Sequence, residues 1–473
     1  MLNRLKSLVP PAIKHTIVYG LSIALMKSIS LIMLPITAFY LRPEQFGQLE
    51  LLTSIGIVCS ILVGLGMENT LFRYAATAPD TIQKKQCAAN ILILALLTGF
   101  IAATIGWLLA PKLITATSVD ISVLQLRLVF VIISMEGAIA IPLAWFRMQE
   151  RVKLFFFATS LRTFAQALLI IIFLRLNFEV TGVLSACLIA AGAQALVLTV
   201  MMLKEVGIWF KLNRTVHYLC YSLPIVGSGF IAFSLAGFDR WLLADMGSLT
   251  DVAIYGVAAK FALATVLLVQ PFGMWWLPKR FAVLKQTQGA DRAAHYIMIG
   301  IIVVMAIAVL VSFISPFLIH LLLPSDYHEA MQYVLWLILA MAFKEISELV
   351  NIGCFCGTST YQQLIINIVC AAIGVSIMWA GISQWGIWAV VVALNLAYFS
   401  KAALFYIASQ RNLPLPYDLL RITIAFALCL GLISISQFIP INWSGWLLSM
   451  GLLLAAMAAT VKQDLFSLSK SFG

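Results

Sequence analysis

The sequence predicts an all-α polytopic membrane protein, with roughly 14 transmembrane helices at about 20 apolar residues per crossing. Three observations predict it. Of the 473 residues 62% are hydrophobic and only 10% are charged, well below the roughly 25% charge of soluble domains. The apolar residues fall into long runs joined by short connections, which leave no room for a soluble domain of ordinary size. Basic residues gather in alternate connections, as the positive-inside rule requires.

The spans centre near Lys27, Ser60, Thr98, Ser134, Phe164, Ala191, Gly229, Thr265, Val304, Ala340, Val369, Val392, Leu428 and Leu452. Arg4, Lys6 and Lys14 precede the first span, which is too long for the apolar region of a cleaved signal peptide. Arg42 marks the connection that follows it. The second span ends at Arg73, with Lys84 and Lys85 beyond, and the third ends near Lys112. The fourth leads to Arg147, Arg151 and Lys153, the fifth to Glu179, and the sixth to Lys204, Lys211 and Arg214. The seventh contains Pro224, Gly227, Gly229 and Gly237, which favour a bend, and leads to Asp245 and Asp251. Lys279, Arg280, Lys285 and Arg292 follow the eighth span, and Asp326 and Glu329 follow the ninth. The connection after the tenth, residues 357–363, carries no charge. Arg411 and Arg421 bracket the connection after the twelfth, and Lys462 and Lys470 lie in the tail. This alternation places both termini in the cytoplasm. It also accounts for the net charge of +11, so the basic balance reads as topology and not as nucleic-acid binding.

Phe46-Gly47 and Tyr255-Gly256 stand 209 residues apart, as do Glu136 and Glu345, and Phe146 and Phe355. That shift carries the first span onto the seventh. An even number of crossings keeps both copies in one orientation, related by a pseudo-two-fold axis along the membrane normal. The expected organisation is a six-helix bundle over residues 1–210, a second over 211–410, and two further helices with a cytoplasmic tail over 411–473.

Charges inside apolar spans are the candidate functional residues. Each costs at least ~2.5–3.5 kcal/mol on insertion scales, so it faces a partner or a water-filled cavity. Lys27 flanks a polar stripe of Tyr19, Ser22, Ser30 and Thr37 on the first span. Asp239 and Arg240 are consecutive and point about 100° apart, so they do not simply neutralise one another. Lys260 reaches a similar depth from the next span, either lining a cavity or pairing with Asp239. Glu136 and Arg162, on successive antiparallel spans, are expected to form a structural ion pair. Lys344 and Glu348, four residues apart, are expected to pair along one helix face, leaving Glu345 as a candidate for ion coupling. Glu68, Asn69 and Arg73 lie at the end of the second span, where Arg73 either serves a site or anchors by snorkelling. Lys401, Arg127 and Arg175 are expected to snorkel from span ends.

Other chemistries lack their motifs. The sequence has no G-x-x-x-x-G-K-[ST] loop for ATP, no HExxH and no G-x-S-x-G. The eight cysteines are scattered through spans, and Cys354-Phe355-Cys356 lacks further ligands for a metal. No enzyme activity and no cofactor are expected.

The run LPITAFYLRPEQFGQLELLTSIGIVCSILVGLGMENTLFRYAA, residues 34–76, carries a family resemblance. Pro43-Glu44-Gln45-Phe46-Gly47, Gly66-Met67-Glu68-Asn69 with Arg73-Tyr74, Phe238-Asp239-Arg240, and Asp251 to Gly256 make the chain similar to the Wzx-type polysaccharide and O-antigen flippases of the multidrug/oligosaccharidyl-lipid/polysaccharide exporter superfamily. The resemblance implies transport of an oligosaccharide on undecaprenyl pyrophosphate from the cytoplasmic to the periplasmic leaflet of a bacterial inner membrane. It also implies alternating access around a cationic cavity, with a polysaccharide polymerase and a chain-length regulator as partners. Lys27, Arg73, Arg240 and Lys260 are then the substrate-binding candidates, and Asp239, Glu345 and Glu68 the candidates for H+ or Na+ coupling. Tyr19, Trp241, Trp275 and Trp276 are candidates for the walls that face sugars. The alternative reading is an ion-coupled antiporter of cationic drugs in the same superfamily.

Overall fold

The computed structural model describes residues 11–76, 78–115, 121–235, 237–277, 279–356 and 361–436. Among them the regular elements are helices, and the chain divides into two compact units, residues 1–253 and 254–473. Every expected span centre from Lys27 to Leu428 falls in or at the break of a described helix, while Leu452 lies outside the described residues. Nine helices among the described residues are long and apolar enough to cross a membrane, which makes the chain a multi-pass membrane protein.

The first unit begins with α1 (Pro11–Tyr40), α2 (Pro43–Gly64) and α3 (Met67–Ala76). The apolar run that holds α2 and α3 is interrupted by two left-handed residues, Leu65 at φ 46° and Gly66 at φ 61°. Glycine takes that conformation freely, whereas Leu65 pays a steric penalty of about 1–2 kcal/mol for it. The break lets α3 change direction while staying within one crossing. Next come α4 (Thr81–Thr115), α5 (Val123–Ser134), α6 (Glu136–Met148), α7 (Val152–Arg175) and α8 (Glu179–Val206). Asp80 caps α4 by accepting from the Gln83 amide at 2.6 Å. Ser122 and Gln125 form a reciprocal capping box at the start of α5, both bonds at 3.1 Å. Met135 interrupts the helix between α5 and α6.

The seventh span is α9 (Leu212–Ser234) followed by α10 (Phe238–Met246), broken where the sequence is richest in glycine and proline. Both pack within the first unit: α9 against α2, α3 and α4, and α10 against α2. The start of α9 is fixed by one side chain. Asn90 on α4 is 0% exposed. Its carbonyl oxygen accepts from the Lys211 amide at 3.1 Å and the Thr215 hydroxyl at 3.4 Å, and its amide donates to the Lys211 carbonyl at 3.4 Å. Around it lies an apolar core that includes Leu71, Ile91, Leu92, Trp145, Phe146, Leu198 and Met202.

Helix α11 (Leu249–Trp276) crosses from one unit to the other and starts at a Ser248–Asp251 capping box, with both bonds at 3.0 Å. Its first residue lies against α2 so closely that a Cβ on Gly47 would overlap the Leu249 carbonyl. The second unit continues with α12 (Arg280–Leu284), α13 (Gly289–Leu322), α14 (Ala330–Val350), α15 (Tyr361–Trp385), α16 (Ile387–Asn412) and α17 (Leu419–Ser436). Helix α16 packs on α14 and α15, and α13 packs on α14 and α17. A 3-10 turn, Asn351–Phe355, extends α14 and is tied to α16. There the Gly353 amide donates to the Ser409 hydroxyl at 2.8 Å, and the Asn412 side chain donates to the Gly353 carbonyl at 3.3 Å.

Candidate functional site

Asp239 and Arg240 lie together at the start of α10. Arg240 Nε donates to Glu50 Oε2 of α2 at 3.3 Å, and another guanidinium nitrogen lies 3.3 Å from Asp239 Oδ1. The side chains are 16%, 5% and 1% exposed for Arg240, Glu50 and Asp239, so this is a desolvated ionic cluster. A hydroxyl adds a second tie, because Ser54 donates to the Gly237 carbonyl at 2.6 Å. Glu50 was not among the residues that sequence reasoning selected. Its signal was an acid inside the apolar run of the second span.

Arg73 and Glu68 are placed by α3, near the basic end of the second span, and serve different faces. Glu68 pairs with Arg147 of α6, and the Arg147 guanidinium lies over the Phe72 ring at 5.2 Å and the Phe155 ring at 5.7 Å. Arg73 turns toward α9 and lies 4.4 Å from the centre of the Tyr221 ring. Its neighbour Tyr74 contacts His217, Tyr218 and Tyr221 with ring centroids at 5.4, 4.9 and 5.7 Å.

Lys27 sits half-buried on α1, and no ion pair holds it among the described residues. Helix α1 packs along α7. There Arg162 departs from its expected pairing: it donates to Gln194 Oε1 of α8 at 3.1 Å, while Glu136 is exposed. The helix break at Met135 begins a new helix at Glu136, and α8 supplies the nearer acceptor. The side chains of Tyr19 and Ser22 lie outside the described residues. Trp241 packs on Phe233 and Phe238 at 5.7 and 5.9 Å, and Trp276 is 1% exposed, so both are built into packing.

In the second unit Lys260 is half-buried on α11, and Glu345 is half-buried on α14. The expected Lys344–Glu348 pair is replaced by a contact between helices, with Lys401 Nζ of α16 at 3.1 Å from Glu348 Oε1. Lys401 therefore bridges to α14 instead of snorkelling outward. Glu348 also accepts from Asn351 at 3.0 Å, and Asn351 accepts from Arg280 at 3.1 Å. Arg280, read from sequence as a topology residue only, is 9% exposed and lies 4.4 Å from the Phe355 ring centre. Burial pulls its guanidinium below the usual range, opposed by the charge of Glu348. No group of three metal-ligating side chains occurs among the described residues.

An apolar cavity of about 290 Å³ opens between α13, α14, α16 and α17, lined by residues that include Met305, Phe343, Phe399, Tyr406, Tyr417 and Phe426. Tyr406, Tyr417 and Leu419 also line a neighbouring pocket that contains Gln410 and Arg411.

Comparison with known structures identifies the fold. The lipid II flippase MurJ, in an inward closed conformation, matches with a TM-score of 0.71 at 12% identity, over 96% of this chain and 100% of that one. A MOP superfamily transporter from Pyrococcus furiosus matches at 0.55 and 15% identity, over 86% and 96%. The Vibrio cholerae MATE transporter VcmN matches at 0.53 and 14% identity, over 85% and 96%. A comparison with curated proteins gives no match. The model of one sequence family, described as polysaccharide biosynthesis protein, matches residues 12–282. That match spans more than half of the chain, so this multi-pass membrane protein belongs to the polysaccharide biosynthesis protein family.

Proposed function

We propose that the chain is a flippase that carries an oligosaccharide on undecaprenyl pyrophosphate across a bacterial inner membrane, with both termini in the cytoplasm. The observation that carries this reading is a lysine, Lys27, held within an apolar helix with no ion pair among the described residues, in a chain of the polysaccharide biosynthesis family. A cation at that depth suits a phosphate-bearing ligand, because charge-assisted bonds strengthen as the dielectric falls. In this reading Lys27, Arg73, Arg240 and Lys260 contact the pyrophosphate in turn, and Arg240 exchanges Glu50 and Asp239 for the substrate. Asp239, Glu345 and Glu68 are the acids through which H+ or Na+ would drive the cycle. The apolar cavity along α17 offers a wall for isoprenoid chain. In this reading a polysaccharide polymerase and a chain-length regulator act on the product downstream.

The likeness to MurJ, which is itself a lipid II flippase, supports this reading. A cation-drug antiporter is less well served. It needs acids for its cargo, and here Glu50 and Asp239 hold Arg240 while Glu68 holds Arg147. Complementation of a flippase-deficient strain with a matched glycan tests the proposal. Surface glycan should return with the wild type and fail with Lys27→Ala at equal expression. Resistance to cationic dyes without glycan rescue would favour the antiporter.

A further inference from the structure

Arg162 carries an uncompensated charge in the middle of the fifth crossing. Its guanidinium donates to Gln194 Oε1 of α8 at 3.1 Å, and no ion pair holds it among the described residues. Gln194 is 8% exposed, and its amide donates to the Ala158 carbonyl at 3.0 Å, which fixes its oxygen toward the arginine. The ordinary explanation is a polar tie between α7 and α8. One turn along the same seam, however, Gln166 donates to Cys187 Sγ at 3.2 Å, so neutral side chains already tie these helices. A mid-span charge costs at least ~2.5–3.5 kcal/mol, and a neutral acceptor does not cancel it. Arg162 is half-buried, and none of its nitrogens is both sealed in the protein and unbonded. A cation so placed faces water or an anion rather than lipid.

Lys27 is a second cation of this kind, and its helix α1 packs along α7. As the first and fifth crossings, these helices run in the same direction. Lys27 lies 13 residues before the end of its helix at Tyr40, and Arg162 lies 13 residues before Arg175. At 1.5 Å per residue both stand about 20 Å from those ends, so the two charges share one level in the bilayer. Axes of packed helices are about 8–10 Å apart, a gap that two long basic side chains close around one small anion. Acids of the first unit are engaged elsewhere: Glu50 with Arg240, Glu68 with Arg147, and Glu205 with Arg151, while Glu136 is exposed. We propose that Arg162 and Lys27 form a two-cation clamp for the diphosphate of the lipid-linked substrate, and that the clamp selects diphosphate over monophosphate lipids. The guanidinium fork grips one phosphate group, and the ammonium meets the other as a point charge. A monophosphate engages one cation and leaves the other unmatched. This rests on the flippase reading and adds to its site a residue and a rule of selection.

The test measures binding of farnesyl diphosphate and farnesyl monophosphate to full-length protein in lipid nanodiscs. Wild type should prefer the diphosphate. Arg162→Gln, which keeps a polar side chain at the α7–α8 seam, should weaken the diphosphate about tenfold, a loss of roughly 1.4 kcal/mol. It should change the monophosphate little, so the preference collapses. Arg162→Lys keeps the charge and loses the fork, and should fall between wild type and Arg162→Gln. Gln194→Leu removes the tie and keeps the charge, so it should retain the preference. Thermal denaturation identifies the folded variants; where Arg162→Gln does not fold, the intermediate affinity of Arg162→Lys decides. If Lys27→Ala loses the diphosphate while folded Arg162 variants bind both probes as wild type does, the clamp is overturned and the flippase reading stands. If wild type does not bind the diphosphate, both fail.

Discussion

The Ser54 hydroxyl donates to the Gly237 carbonyl at 2.6 Å, joining α2 to the break between α9 and α10. That carbonyl belongs to a residue whose helix has just been interrupted, so the bond stands in for part of a lost backbone ladder. Hydrogen bonds between membrane helices average about 0.6 kcal/mol, and a buried acceptor left bare costs about 1–3 kcal/mol. Ser54→Ala should therefore destabilise the protein by about 1 kcal/mol. Thermal denaturation in detergent, compared with Ser60→Ala on the same helix, measures it.

Arg240, Glu50 and Asp239 should behave as a unit. Removing one member of a buried ionic group costs about 3–5 kcal/mol, because the others keep their desolvation penalty. Glu50→Gln and Arg240→Gln should each lower stability strongly, and the double variant should lose less than the sum of the two. A double-mutant cycle on thermal stability checks the sign of that coupling. Strict additivity would show that the two side chains do not interact.

Gly47→Ala should be poorly tolerated, since its Cβ would collide with backbone at Leu249. Helix α2 would have to move away from the start of α11. A fall in melting temperature and in folded yield is expected, larger than for Gly64→Ala, whose Cβ meets nothing within 4 Å.

Arg280 and Lys401 separate buried from exposed electrostatics within one cluster. Lys401 pairs with a Glu348 side chain that is 48% exposed, so Lys401→Ala should cost no more than about 1 kcal/mol. Arg280→Ala removes a buried guanidinium, its bond to Asn351 and its contact with Phe355. It should cost clearly more, by denaturation of the second unit at lower temperature.

Orientation is open to chemistry. In a background with the native cysteines replaced, Ser325→Cys should react with an impermeant maleimide on cells whose outer membrane is permeabilised. Thr287→Cys should react only after the inner membrane is opened. Both positions are exposed, in connections at opposite ends of α13. The reverse pattern would invert the proposed topology.

The spans were legible because a crossing imposes its own length on the sequence, and even the bend near Gly237 announced itself through glycine and proline. Partners of the intramembrane charges were not legible in the same way. Glu50 and Arg240 stand 190 residues apart, and no local rule joins them. The spacing of Lys344 and Glu348 permits a pair along the helix, yet α16 packs on α14 and brings Lys401 to the same carboxylate. Glu136 and Arg162 lie on consecutive spans, but the break at Met135 gives Arg162 a different neighbour in Gln194. Arg73 was found as a charge, while the rings that hold it came from a helix far along the chain. Sequence locates a charge along one helix axis; its partner depends on rotation and packing.

The buried amide of Asn90 sets an order on biosynthesis. It enters the bilayer with the third span, but its acceptors and donors, Lys211 and Thr215, emerge from the ribosome more than 120 residues later. Until then the nascent third span carries a polar group with no native bond, and the insertion machinery must retain it or shield it. Maturation of the first unit is thus timed by the arrival of the seventh span, and a chain truncated before residue 211 should be a substrate for quality-control proteolysis.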